Sequence, residues 1–305
     1  MVPTPFGQRL RAAMDELGPL CVGIDPHPGL LQAWGLPDDA AGLRAFSFAV
    51  LEATAGLAAA VKPQSALFER HGARGVAVLA EVVQNARELG TLCIVDAKRG
   101  DIGSTMEGYA DAYLSDSSDL AADAVTLSPF LGFGSLSPAI DKARQTGRGV
   151  FILCLTSNPE GASVQHAISP ATNQAVAAEI AAAAAALNAA DIANQGWQNK
   201  PTSGADSAQS PALPLGSVGL VVGATIGEAA RQTATDLTAV HGPLLAPGVG
   251  AQGGGPAELR SVFGSARHNV LASSSREILK AGPDVAALRA ATNRSRETVT
   301  AALRD

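Results

Sequence analysis

Cysteine is scarce in this sequence, and no cysteine or histidine pair has the spacing of metal ligands. The three cysteines, Cys21, Cys93 and Cys154, each lie in an apolar run that is typical of a strand. An odd number of buried thiols argues against a disulfide framework and favours a reducing compartment, so we expect a cytoplasmic protein. The five histidines form no motif, and we expect neither a metal site nor a metal cofactor. No Gly-x-Gly-x-x-Gly follows a strand in the context that binds dinucleotides, so NAD and FAD are not implied.

Positive charge and long apolar segments are also scarce. The net charge of −6 argues against nucleic acid as a general partner. An anionic ligand would therefore need a local positive site. Residues 1–19 carry four charged side chains and no long apolar core, so no signal peptide is expected. The Ala-rich segment 175–190 contains Glu179 and few large apolar side chains, so we predict no membrane span.

Apolar runs that are typical of buried strands alternate with segments of helical periodicity. The strand-like runs lie near 20–24, 58–62, 91–96, 124–127, 150–155, 218–223, 243–247 and 268–272. The helical segments lie near 40–57, 73–89, 104–115, 135–146, 170–190, 226–239, 256–263 and 284–303. Eight alternating units predict an α/β fold, a (β/α)8 TIM barrel in a single domain over residues 1–305, with an open doubly wound sheet as the alternative. Residues 188–217, rich in small and polar residues, predict a flexible insertion between the fifth helix and the sixth strand.

The third strand is followed by an unusual density of charge. Leu92–Val95 is a continuous apolar run, and Asp96, Lys98 and Asp101 come directly after it. Residues two apart in an extended chain share a face, so Asp96 and Lys98 should point the same way. Asp101 lies beyond the Gly100 turn and is able to reach a neighbouring site, even one on another subunit. Two interpretations stay open on these residues alone: an ammonium held between carboxylates for chemistry, or an ion-pair cluster that caps a strand.

The ten residues from Asp96 to Thr105, Asp-Ala-Lys-Arg-Gly-Asp-Ile-Gly-Ser-Thr, resemble the signature of the orotidine 5′-phosphate decarboxylase family, and most closely its longer bacterial subfamily. The shorter pattern Asp-x-Lys-x-x-Asp is shared by related sugar-phosphate barrels. The resemblance implies decarboxylation of orotidine 5′-monophosphate to uridine 5′-monophosphate (UMP) and carbon dioxide, the last step of de novo pyrimidine synthesis. It implies a homodimer and no cofactor.

The resemblance also implies roles for the charged residues at strand ends. Lys98 would stabilise a carbanion at C6 of the pyrimidine and then protonate it. Asp96 and Asp101 would hold its ammonium, and Lys62, after the second strand, would complete a chain of alternating charges. Asp25, after the first strand, would bind the ribose and take part in the hydrogen-bond network on the pyrimidine side. The alternatives are a turn-capping Asp25 and a Lys62 that reaches solvent.

Further residues are expected to bind the substrate or the second subunit. By resemblance, Asp101, Ile102 and Thr105 would be donated across the dimer interface, and Ser128 would address the pyrimidine ring. Without the resemblance, helix-start packing would explain Ile102 and Thr105, and turn formation would explain Ser128.

The glycine-rich segment after the seventh strand predicts a phosphate site. It begins at Pro247 and precedes a helix, where backbone N–H groups favour an oxyanion. By resemblance, a loop here would close over the substrate phosphate, with Gln252 contributing a contact. Arg276, after the eighth strand, matches the phosphate arginine of the family and suits bidentate recognition. A surface arginine at a helix start is the alternative.

Two rival functions remain at this stage. One is a metal-dependent sugar-phosphate decarboxylase or aldolase of the same barrel superfamily, which would need Mg²⁺. The other is a non-catalytic barrel that binds nucleotide phosphates, which would bind UMP and leave orotidine monophosphate unchanged.

Overall fold

Eight parallel strands close a barrel in the order of the sequence. The computed structural model describes residues 3–194, 214–250 and 253–304. The strands are β1 (Leu20–Ile24), β2 (Ala60–Pro63), β3 (Leu92–Arg99), β4 (Ala124–Leu127), β5 (Gly149–Leu155), β6 (Val218–Val222), β7 (Leu244–Pro247) and β8 (Val270–Ser274). Pairing of β1 with β8, with Leu20 opposite Ala272, closes the barrel. The predicted (β/α)8 TIM barrel is confirmed, and each predicted strand lies within a few residues of the observed one.

Helices connect the strands and form the outer layer. They are α1 (Phe6–Leu17), α2 (Pro28–Ala33), α3 (Ala40–Thr54), α4 (Ser65–Glu69), α5 (Gly72–Glu88), α6 (Gly103–Leu114), α7 (Ser137–Thr146), α8 (Ala162–Gln165), α9 (Val176–Asn194), α10 (Ala229–Gln232), α11 (Pro256–Phe263), α12 (Arg276–Leu279) and α13 (Val285–Arg304). The prediction of a long helix over 226–239 is wrong, since only the short helix α10 forms in that range. The backbone is left-handed at Gly227 (φ 56°) and Ala234 (φ 52°), which interrupts the helix on both sides.

Helix α1 closes the amino-terminal end of the barrel. Its Phe6, Leu10 and Met14, spaced four apart, are fully buried against the barrel interior. The Phe6 ring meets Phe151 of β5 edge to face, with centroids 5.9 Å apart. Gly149 makes room for this ring, because a Cβ there would overlap it. With this end filled by apolar side chains, only the carboxyl ends of the strands can form an open site.

Helix α9 is the one described helix long and apolar enough, by length and composition alone, to cross a membrane. Its inner face packs on the barrel instead. Cys154 Sγ of β5 donates to the carbonyl of Ala177 at 3.4 Å. Ala-rich helices of a barrel's outer layer share this composition, so the finding does not indicate a span.

The end of α9 shifts the boundary of the predicted insertion. Asn188 is fully buried, and its amide donates to the carbonyls of Val218 and Val240, both at 2.8 Å. Residues 188–194 therefore belong to a helix tied to β6, rather than to a flexible segment. Residues 195–213 of the predicted insertion lie outside the described residues, which resume at residue 214.

Candidate active site

Side chains that face the barrel interior change from apolar to polar along the strands. The apolar interior layer consists of Cys21, Ala60, Ile94, Ala124, Phe151, Val221, Leu245 and Leu271, together with the side chains of α1. Two or four residues further along several strands, the same face carries polar groups, because strand side chains alternate with a period of two. These polar residues are Asp25, Lys62, Gln64, Asp96, Lys98, Thr126, Ser273 and Ser275. They line a cavity of about 690 Å³ at the carboxyl ends of the strands.

The Asp96 carboxylate is the centre of this polar layer. Its Oδ1 accepts hydrogen bonds from Lys98 Nζ at 2.6 Å and from Thr126 Oγ1 at 2.9 Å. Its Oδ2 accepts from Lys62 Nζ at 2.8 Å and from Gln64 Nε2 at 3.2 Å. Four donors therefore hold one carboxylate, two on each oxygen, and fix its orientation.

Burial and charge act against each other at this cluster. Burial alone would lower the pKa of Lys62, but the carboxylates of Asp96 and Asp25 outweigh it and hold the pKa above the ordinary value for lysine. Burial alone would raise the pKa of Asp96, but the ammonium groups of Lys62 and Lys98 outweigh it and hold this pKa well below the usual range. Lys62 and Asp96 are 6% and 7% exposed, so their ion pair is largely shielded from solvent. Lys98 differs, because 45% of its side chain is exposed and faces the cavity mouth.

A bulge at the end of β3 sets the position of Lys98. Val95 pairs with Val125 of β4, whereas the next pair is Arg99 with Leu127, so three residues of β3 lie opposite one residue of β4. Lys98 takes a left-handed backbone conformation, with φ 47°. For a residue with a Cβ this conformation is disfavoured by ~1–2 kcal/mol. Bulges beside a site commonly re-aim a side chain, and here both Asp96 and Lys98 line the cavity.

Asp25, after β1, provides a second carboxylate in the cavity wall. Its Oδ2 accepts a hydrogen bond of 2.5 Å from Ser275 Oγ. Its Oδ1 is buried and has no hydrogen-bond partner among the described residues. A buried acceptor left open at a cavity wall is suited to a ligand hydroxyl, because an unpaired polar group is otherwise unfavourable.

The glycine segment after β7 borders the cavity on the side opposite β3, four strands away around the barrel. Pro247, Gly248 and Val249 line it. The segment folds back on itself, with Gly254 N donating to Gly248 O at 3.1 Å. The φ angle of Gly248 is 94°, which favours glycine at this position. Gln252, predicted to contact phosphate, lies outside the described residues.

Arg276 joins this side of the cavity from the start of α12. Its side chain is exposed and lines the cavity. Within residues 3–194, 214–250 and 253–304, no hydrogen bond or ion pair engages its guanidinium. An arginine beside a glycine-rich turn, without a protein partner of its own, provides the donors that an oxyanion needs.

Four predicted residues do not reach the cavity within one chain: Asp101, Ile102, Thr105 and Ser128 are absent from its described lining. The Asp101 carboxylate accepts from the N–H of Ile102 at 2.8 Å, and the Ile102 side chain is 61% exposed. For Ser128, the difference has a local reason. Thr126 occupies the interior-facing position of β4, whereas the Ser128 N–H donates to the carbonyl of Arg99 beyond the strand end, at 2.7 Å.

Several lining residues were not predicted as site residues. Gln64 and Thr126 contact Asp96 directly, and Thr156 and Asn158 line the cavity after β5. A signal for Thr126 was present in the sequence, because it is a polar residue inside the apolar run 124–127. Gln64 follows Lys62 with the same period of two. Thr156 and Asn158 follow β5 in the segment Thr-Ser-Asn-Pro-Glu-Gly, whose residue types are typical of a turn.

No three His, Cys, Asp or Glu side chains cluster as a metal site in the part of the chain that the structure describes. Cys21, Cys93 and Cys154 are free thiols, and all three are buried. Burial raises the pKa of Cys21 and of Cys154 to about 12 in each case, so both stay protonated at neutral pH.

Comparisons with known proteins agree with this geometry. Residues 18–291 match the family described as orotidine 5′-phosphate decarboxylase / HUMPS. The chain is 56% identical over 289 residues to an orotidine 5′-phosphate decarboxylase of Salinispora arenicola, with 95% of each chain covered. It is 53% identical over 290 residues to that of Streptomyces coelicolor, again covering 95% of each.

Solved structures give the same result. A crystal structure assigned to this family, from Streptomyces avermitilis, superimposes with a TM-score of 0.87 at 51% identity, covering 100% of this chain and 98% of that one. The Leishmania donovani orotidine monophosphate decarboxylase superimposes with a TM-score of 0.72 at 29% identity, covering 99% and 100%.

Proposed function

The chain belongs to the orotidine 5′-phosphate decarboxylase family, and on that premise we propose how its residues decarboxylate orotidine 5′-monophosphate to UMP and carbon dioxide in pyrimidine biosynthesis. Loss of carbon dioxide leaves an electron pair on C6 of the pyrimidine, with no neighbouring group to delocalise it. A cation held in advance where that charge develops is the physical answer, because a preorganised charge needs no reorganisation during the reaction.

Lys98 supplies this cation. The observation that carries the proposal is the 2.6 Å hydrogen bond between Lys98 Nζ and Asp96 Oδ1 at the mouth of the cavity. Because Asp96 also binds the buried Lys62 ammonium at 2.8 Å, its carboxylate stays ionised and in place. The Lys98 ammonium first stabilises the carbanion and then transfers a proton to C6, which forms the C–H bond of UMP and leaves a neutral amine.

The far end of the substrate binds across the cavity. The open Oδ1 of Asp25 accepts from a ribose hydroxyl. The substrate phosphate binds to Arg276 and to the N–H groups of the glycine segment that begins at Pro247, with Gln252 as a further predicted contact. The phosphate is remote from the bond that breaks, so this binding energy serves to order the site around the pyrimidine.

The active form is a homodimer in this proposal, and the second subunit completes the site. Asp101 would reach the partner's ammonium, with Ile102 and Thr105 beside it. The apolar side chains of Ile102, Phe130 and Leu131, which follow the neighbouring strands β3 and β4, are 61%, 76% and 53% exposed. Exposed large apolar side chains at such positions are suited to an interface. We further propose that the enzyme is cytoplasmic.

The test of the function is the loss of orotidine monophosphate absorbance on addition of purified protein, with and without EDTA. The account predicts complete conversion to UMP at an unchanged rate in EDTA. Activity that disappears in EDTA and returns with Mg²⁺ would favour a metal-dependent barrel enzyme. Binding of UMP without any conversion would favour a nucleotide-phosphate binding protein.

A further inference from the structure

The bulge in β3 leaves the peptide N–H of Lys98 without a strand partner. Residues 96–98 have no register partner on β4, because pairing passes directly from Val95 to Arg99. The N–H of Lys98 donates instead to a side chain, Thr126 Oγ1, at 2.9 Å. A side-chain hydroxyl therefore replaces the missing ladder bond at the residue proposed to act on the substrate.

The same hydroxyl also contacts the group that holds the ammonium. Thr126 Oγ1 donates its single proton to Asp96 Oδ1 at 2.9 Å, and that oxygen accepts from Lys98 Nζ at 2.6 Å. Thr126 is 1% exposed, so water does not compete for these bonds. Thr126 thus fixes the backbone of Lys98 directly, and it fixes the Lys98 ammonium indirectly, through Asp96.

We propose that Thr126 is a positioning residue, whose hydroxyl holds the β3 bulge and the Asp96 carboxylate together so that the Lys98 ammonium points at C6. This inference rests on the proposed function of Lys98 and adds a residue to it. Thr126 does not transfer a proton to substrate. Its contribution is to the distance and direction of the ammonium, and a misplacement of about 1 Å in such a group lowers turnover by about 100-fold.

The test compares Thr126→Val, which keeps the shape and removes the hydroxyl, with Thr126→Ser, which keeps the hydroxyl and removes a methyl group. We expect kcat of Thr126→Val to fall by about 10- to 100-fold. The Kd for UMP should stay within about threefold, because UMP binding depends on ribose and phosphate contacts elsewhere in the cavity. Thr126→Ser should recover most of kcat.

A matched control is Thr292→Val. Thr292 is also fully buried, its hydroxyl donates to the carbonyl of Leu288 within α13 at 2.9 Å, and it is not among the residues that line the cavity. The Thr292→Val variant also loses a hydroxyl group from a buried site, and it should keep the wild-type kcat. If Thr126→Val does not fold, Thr126→Ala and Thr126→Ser provide a second pair that differs by the hydroxyl alone and introduces no larger group.

The outcomes separate this inference from the proposed function. A Thr126→Val enzyme within twofold of the wild-type kcat would overturn the positioning role, and so would a variant whose kcat, UMP affinity and melting temperature fall together without recovery in Thr126→Ser. Near-wild-type turnover by Lys98→Ala would instead reject the proposed role of Lys98, on which this inference rests. An inactive Lys98→Ala beside a fully active Thr126→Val would reject only the role of Thr126.

Discussion

Replacing Asp96 by asparagine removes the charge that the buried Lys62 ammonium depends on. Lys62 is 6% exposed, and its carboxylate partner is 2.8 Å away. Removal of one member of a buried ion pair destabilises a protein by about 3–5 kcal/mol, because the other charge is left without compensation. The lower value applies here, since the Asp25 carboxylate also acts on Lys62. We therefore expect Asp96→Asn to lower the free energy of unfolding by about 3 kcal/mol.

Urea denaturation at pH 7 measures this loss. With an m-value of about 3 kcal/mol/M, a loss of that size shifts the midpoint by about 1 M. A matched control is Glu81→Gln, which makes the same acid-to-amide change in the exposed pair with Arg44, where the side chains are 55% and 46% exposed. Exposed pairs contribute roughly 0–1 kcal/mol, so its midpoint should shift by no more than about 0.3 M.

The difference in the free energy of unfolding between wild type and Asp96→Asn depends on pH with a definite sign. The pKa of Asp96 is depressed in the folded state, so its contribution to stability is present above the unfolded pKa, near ~3.9, and is lost as the pH falls through the folded value. The pKa of Lys62 is raised, so its contribution is present below about pH 10 and is lost as the pH rises through the folded value. The stability gap between wild type and Asp96→Asn should therefore be widest from about pH 5 to 9.

Turnover should change as well. Without the carboxylate, the Lys98 ammonium loses the group that orients it, and kcat should fall by at least about 100-fold. A midpoint for Asp96→Asn within 0.2 M of wild type, on the order of the precision of such measurements, would show that the Lys62–Asp96 pair is not buried and would refute the electrostatic reasoning.

Three other perturbations test separate parts of the molecule. Arg276→Ala should reduce the rate advantage of orotidine monophosphate over phosphate-free orotidine by about 10- to 100-fold, the loss of a charge-assisted contact, whereas an unchanged advantage in steady-state kinetics would reject the phosphate role. Mixing Lys98→Ala with Asp101→Asn subunits should restore part of the activity under subunit exchange, and no recovery would argue against donation across the interface. Asn188→Leu should lower the free energy of unfolding by about 2–4 kcal/mol in urea titrations, since it unpairs the buried N–H of Val218 and two carbonyls, and a loss below ~0.5 kcal/mol would contradict the tie between α9 and β6.

The barrel could be predicted because its strands are buried on both faces. Such strands appear in the sequence as short, continuous apolar runs, and the number of runs that alternate with helices limits the topology. Helix α1 was not predicted, although Phe6, Leu10 and Met14 have helical spacing. Its role depends on Gly149 and Phe151, which meet it only after the barrel has closed.

The part of the candidate site that lies at the ends of the strands was predictable from the sequence. Asp25, Lys62, Asp96 and Lys98 all line the cavity, because residues at the carboxyl ends of parallel strands converge at one face of the barrel. The bulge at Lys98 was not predictable, since nothing in the residues Asp-Ala-Lys indicates a left-handed backbone conformation at the lysine. That bulge decides which residue of β4 meets Asp96.

Side-chain direction after a strand end was harder to predict. Ser128 was selected as the polar residue at the end of β4. It has the same parity as Thr126, but it lies one residue beyond the strand, and Thr126 is the residue that contacts Asp96. The proposed roles of Asp101, Ile102 and Thr105 stay predictions, because they depend on contacts with a second subunit.

The most direct measurement of the central claim is the turnover of Lys98→Ala together with its affinity for UMP. The account predicts that kcat falls by several orders of magnitude, because both the stabilising charge and the proton donor are gone, while the melting temperature and the Kd for UMP remain close to those of wild type. Turnover near the wild-type rate by a folded Lys98→Ala enzyme would contradict the claim that this amine protonates C6.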